Sequence, residues 1–105
     1  MKRTKSMTYQ SSVASNDLML YAVNNKALHA QRIAPMVKNL ARYYNKGKFD
    51  SEKAIDGFYS IATDAAKMYC HEFGDGNQIF TVTDRFTVAV EMLNYFMENI
   101  EANDY

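Results

Sequence analysis

The sequence predicts an all-α fold, a compact bundle of three main amphipathic helices plus a short N-terminal helix. Three observations carry this. Apolar residues recur with the 3.6-residue helical period over three long stretches, 27–45, 51–73 and 84–100. Capping or breaking residues bound each stretch. Residues 79–82, Ile-Phe-Thr-Val, alternate only weakly and are too short to imply a sheet, so they read as an extended connector.

Residues 1–15 are polar, rich in Ser and Thr, and carry Lys2, Arg3 and Lys5. They have no apolar period and read as a flexible basic and polar tail, which leaves 16–105 as the helical domain. Asn16 and Asp17 have the chemistry of a helix cap before the short apolar run Leu18 to Val23. Asn24-Asn25 ends that run with turn residues.

The second helix is expected from Ala27 to Asn45. At 100° per residue, Ala30, Ile33, Met36, Val37, Leu40, Ala41, Tyr43 and Tyr44 share its inner side. Arg32, Lys38, Asn39, Arg42 and Lys46 share the other. Pro35 lies inside the pattern. Without an N–H, and crowding the turn before it, proline kinks this helix or marks its true start. Gly47 is placed to end it.

Asp50 is the expected N-cap of the third helix, with Glu52 in its first turn, where the helix dipole favours acids. Its inner side holds Ala54, Ile55, Phe58, Ala62, Ala65, Ala66, Tyr69 and Phe73, and the small alanines invite close approach of another helix. Gly74-Asp75-Gly76-Asn77 terminates it. Thr83 is the expected cap of the fourth helix, whose inner face is Phe86, Ala89, Val90, Leu93, Phe96, Met97 and Ile100, with Glu91, Glu98 and Glu101 opposite.

Composition narrows the function. The chain has 105 residues and one cysteine, Cys70, so it forms no disulfide within itself, which fits a reducing, cytoplasmic setting. The basic N-terminus lacks the apolar stretch of a signal peptide, and no run approaches the length of a membrane span. Net charge is zero but unevenly distributed: residues 1–49 hold nine Lys/Arg and one acid, Asp17, whereas 50–105 hold three Lys/Arg and eleven acids. Either the two halves lie against each other in the fold, or each presents a charged face to a partner.

Several short motifs follow one another along the chain: Asn39-Leu40-Ala41-Arg42, Lys46-Gly47-Lys48-Phe49-Asp50, Lys53-Ala54, Ala65-Ala66-Lys67-Met68-Tyr69, Glu72-Phe73-Gly74 and Thr83-Asp84-Arg85. In order and spacing they resemble a family of small bacteriophage and phage-metagenome proteins of unknown function, over residues 18–105. Members often carry a Trp in the third helix, where this chain has Phe58 or Tyr59. The resemblance brings no catalytic residues. It implies expression in an infected bacterium and, as is common for small phage proteins, binding to a host or defence protein in the host cytoplasm.

No catalytic set is visible, and no cofactor is implied. His29, His71 and Cys70 lack zinc-ligand spacing. Cys70 and His71 are adjacent on a helix and diverge by 100°, which rules out a nucleophile–base pair. Gly74-x-Gly76 follows a helix rather than a strand, unlike a phosphate-binding loop. Glu72 falls on the apolar side of the third helix near its end; it has either emerged into water or is a buried acid held by Arg42 or a tyrosine hydroxyl.

Two surfaces remain as candidates. Val88, Met92 and Tyr95, spaced i, i+4, i+7, form a second apolar ridge beside the inner face of the fourth helix. The ridge either contacts a second chain (a copy of itself or a target protein) or belongs to a wide inner face wrapped by the N-terminal helix. Arg32, Lys38, Arg42 and Lys46, extended by Lys48, form a basic stripe suited to an acidic partner or to the phosphates of a nucleic acid. The expected function is therefore a non-enzymatic protein-binding module, with nucleic-acid binding as the alternative.

Overall fold

The computed structural model of the chain describes residues 13–73 and 80–102. Helix α1 spans Val13–Asn24 and α2 Lys26–Leu28; a π-helical turn over His29–Ile33 leads into α3, Ala34–Asn45. Helix α4 spans Ser51–Phe73 and α5 Val82–Glu101. No strand occurs among the described residues.

Helix α1 starts earlier than its cap chemistry predicts. Asn16 and Asp17 lie inside it, because Ser15, Leu18 and Ala22 form one buried stripe and packing outweighs the local signal. Asn25 is the cap that operates here, its Oδ1 accepting from the Leu28 N–H at 2.8 Å and opening the continuous helical run to Asn45.

Pro35 has its effect one turn upstream. It sits in the first turn of α3, and immediately before it the Ala34 N–H donates to the His29 carbonyl, five residues back. The wider π turn relieves the crowding that a proline ring causes in an α-helix. It also resets the helix phase: Leu28 and Ile33, five apart, are both buried, whereas Ala30 is exposed. Downstream, Val37, Leu40 and Ala41 are buried as expected. Tyr43 and Tyr44 are exposed instead of internal, being in the last turn. Gly47, at φ +73°, closes the run: its N–H donates to the Tyr44 carbonyl and that of Lys48 to the Tyr43 carbonyl. This pair of bonds is the Schellman arrangement, which needs a left-handed residue at that position.

Asp50 caps α4 as predicted, its Oδ1 accepting from the N–H groups of Glu52 at 3.0 Å and Lys53 at 3.3 Å. Ala54, Phe58, Ile61, Ala62, Ala65 and Ala66 are buried along α4. Its most extensive packing is with α5, and α1 lies across both. At the centre the Phe58 and Phe96 rings stack, 6.0 Å between centroids and 12° between planes. The glycine-rich segment expected to end α4 lies outside the described residues; the helix itself runs to Phe73.

The cap of helix α5 lies two residues before the expected one. Thr81, not Thr83, is the N-cap: its hydroxyl accepts from the Asp84 N–H at 3.0 Å, and the Asp84 carboxylate accepts from the Thr81 N–H at 3.1 Å. This reciprocal capping box satisfies two donors that a helix end leaves open. Phe80, just before it, is buried against the edge of Tyr69, 5.1 Å between ring centroids.

Candidate protein-interaction site

The apolar ridge on α5 is not a surface. Val88 and Met92 are both 0% exposed, in the same core as Leu18 and Ala22 of α1. The inner face of α5 is wide because α1 covers a second stripe of it. Only Tyr95, 56% exposed, reaches solvent, its ring edge-on to Phe96 at 4.9 Å. The three residues therefore do not form a shared contact surface in this fold.

The basic stripe is retained in part. Lys38, Arg42, Lys46 and Lys48 are exposed, and Arg42 donates to the Asn39 side chain at 2.9 Å. Arg32 is withdrawn from the stripe: it pairs with Asp64 and donates to the Ser60 hydroxyl at 3.1 Å. This contact ties the basic half of the sequence to the acidic half.

Between α3 and α4 the structure opens a groove of about 740 Å³. Its apolar lining comes from Pro35, Met36, Leu40 and Tyr43 on one side and Ala54, Gly57 and Ile61 on the other. Lys48, Asp50 and Lys53 stand where the 46–50 connection closes one end, and Arg32 with Ser60 marks the other. On α3, Arg42 falls about 20° round the helix beyond the groove-lining Pro35, and Lys46 caps the helix, so the exposed stripe begins where the groove rim ends.

Gly57 shapes the floor. A Cβ built there would meet the Met36 Sδ at 2.7 Å and the terminal methyl closer still. The absence of a side chain lets the Met36 thioether lie directly on α4. Methionine has three rotatable side-chain bonds, so this part of the floor is adjustable. Sequence reading placed Met36 on the inner face and did not single out Gly57, whose role depends on a neighbouring helix.

A second, smaller cleft of about 500 Å³ lies between α1 and the end of α4. There Glu72, exposed, accepts a hydrogen bond from the Tyr21 hydroxyl at 2.7 Å, and Asn25 donates to the same hydroxyl at 3.4 Å. Of the sequence alternatives for Glu72, emergence into water holds and the buried acid does not; a tyrosine hydroxyl, not Arg42, bonds it at the surface. Burial and the neighbouring carboxylate push the Tyr21 phenol above its ordinary pKa of 10.0. Tyr21, Tyr69 and Phe73 pack as a ring cluster beside this contact, with centroids 4.7–6.2 Å apart.

Among the described residues no group of His, Cys, Asp or Glu is placed to hold a metal ion, and no helix is long and apolar enough to cross a membrane. Comparison with protein-family models, curated proteins and solved structures gives no significant match.

Proposed function

We propose that this protein is a small non-enzymatic binding module that engages another protein through the groove between α3 and α4. The observation that carries the reading is the groove itself, an apolar trough about 740 Å³ in volume bordered by exposed lysines. Adaptable methionine and tyrosine surface at its floor and rim is the composition interfaces favour. The motif resemblance adds the setting: an accessory factor of a bacteriophage, acting in the cytoplasm of an infected bacterium on a host or defence protein.

A pull-down from bacterial lysate, with and without nuclease, tests this. The intact chain and Tyr95→Asp should retain the same nuclease-resistant protein, whereas Tyr43→Asp, on the groove wall, should lose it. Retention by Tyr43→Asp with loss by Tyr95→Asp would move the site to the outer face of α5.

The second reading, nucleic-acid binding, is favoured by one observation, the common exposure of Lys38 and Arg42 on the outer side of α3 and of Lys46 at its C-cap. Such a stripe attracts phosphates through counterion release and loses affinity steeply as salt rises. Replacing the three with Ala would then flatten the salt dependence. Absence of binding at low salt would leave the stripe as a solvated face.

A further inference from the structure

The groove and its border together specify the chemistry of the occupant. Of the charged residues lining it, Arg32 is held by Asp64, and the Asp50 carboxylate is turned into the first turn of α4, where two N–H groups bind it. Lys48 and Lys53 are exposed at the rim, and Arg42 follows on the adjoining face of α3 with Lys46 at its C-cap. The closed end of the groove therefore presents positive charge beside an apolar floor. The basic N-terminal residues of this chain, Lys2, Arg3 and Lys5, have the wrong sign to occupy it. A nucleic acid would match the charge but not the floor: the centre of the groove is methionine and aliphatic, and among the described residues Tyr43 is the one aromatic ring lining it, whereas single-strand binders use several stacking rings.

From this complementarity we propose that the groove receives an acidic segment of a partner protein, whose bulky apolar anchor enters over Gly57 by displacing the Met36 thioether. The proposal rests on the reading of the groove as the binding site. Groove-lining residues 31–43 run along about 18 Å of helical chain, and those of α4, 53–61, along about 12 Å. That length suits two or three turns of a bound helix, read through anchors at i, i+4 and i+7. The acidic side chains of the segment would meet Lys48 and Lys53 at the closed end, and Lys46 and Arg42 outside it. The exposed lysines act mainly on encounter and sign selectivity, and the apolar anchor on residence time.

The test is a display selection on the full-length chain. The library presents helical peptides with fixed leucines at i, i+4 and i+7 and flanking positions randomised among Glu, Lys, Gln and Ser. Enriched peptides should be predominantly Glu-flanked. Their binding should fall at least tenfold for Lys48→Glu with Lys53→Glu, and at least threefold between 50 and 300 mM salt, on the order expected for exposed charge pairs. In methyl-labelled protein the Met36 resonance, assigned with Met36→Leu, should move on binding. Enrichment of neutral or Lys-flanked peptides that still shift Met36 would overturn the acidic partner while leaving the groove as the site. Binders that leave Met36 unmoved and survive Tyr43→Asp would overturn the groove itself. No enrichment, or enrichment only of peptides that bind a self-associated form of the chain, would overturn the proposal in favour of a second copy or another class of ligand.

Discussion

Replacing Gly57 by alanine sets two effects of opposite sign against each other, and the structure decides which wins. In the interior of a helix, glycine costs about 1 kcal/mol relative to alanine, through backbone entropy. Gly57 lies in the interior of α4, so this gain is available in full. Against it, the new methyl would overlap the Met36 thioether, with Sδ at 2.7 Å. That overlap is with the free end of a flexible, half-buried side chain next to open groove, not with backbone. Rotating the Met36 end away exposes roughly one methyl-sized group, about 0.8 kcal/mol at most, and contact with the new Ala methyl returns part of it. The net expectation is a stability change between about zero and a gain of 1 kcal/mol, which raises Tm by up to about 4–8 °C for a domain of this size. Thermal unfolding followed by circular dichroism measures it, and the Met36 methyl resonance reports the displacement. A loss of more than about 1 kcal/mol would show that Met36 has nowhere to go, and the groove would then not be the open space described here.

Further outcomes follow from single contacts. Val88→Asp puts an unpaired carboxylate into the core at a cost of several kcal/mol, a large part of the whole stability of a small domain; urea denaturation should find it unfolded or severely destabilised, whereas Tyr95→Asp should stay folded and lose only about 1 kcal/mol with its edge contact to Phe96. Thr81→Ala removes the hydroxyl half of the capping box and should cost about 1 kcal/mol, while Thr83→Ala, on the exposed first turn, should fall within about 0.5 kcal/mol of the parent; equal effects would contradict the cap assignment. The Tyr21 phenol is raised above 10.0 in the fold, so the folded state binds its proton more tightly than the unfolded chain does. Its contribution is complete below pH 10 and is lost as pH rises through the higher folded value. Tyr21→Phe should therefore lessen the alkaline decline in stability seen by denaturant titration; an unchanged decline would remove Tyr21 from its cause.

The helical class was legible because periodicity is local: Phe58, Ala62 and Ala65 on α4, and Ala89, Leu93, Phe96 and Ile100 on α5, declare one face without reference to anything else. The caps at Asp50 and Gly47 were legible for the same reason. Thr81 was also written in the sequence, as a threonine three residues before Asp84, but Thr83 stood directly beside that acid and drew the assignment. The π turn was signalled by Pro35, yet its consequence, a shifted phase that exposes Ala30, requires knowing how the chain relieves the proline. Val88 and Met92 depended on where a short helix with a weakly defined apolar face comes to rest. Helix α1 leaves Val13 and Leu20 exposed and buries Ser15, so its own pattern does not announce its seat on α4 and α5. The groove was the least legible feature, since Gly57 and Met36 acquire meaning only when α3 and α4 meet.

The central claim, that the α3–α4 groove is where this protein meets its partner, is tested most directly by photocrosslinking. A benzophenone side chain is placed at Tyr43 on the groove wall in one protein and at Tyr95 on the outer face of α5 in another, and both are irradiated in nuclease-treated bacterial lysate. The groove reading predicts one discrete protein adduct from position 43, competed away by excess unlabelled chain, and no matching adduct from position 95. A competed adduct from position 95 with none from position 43 would contradict it.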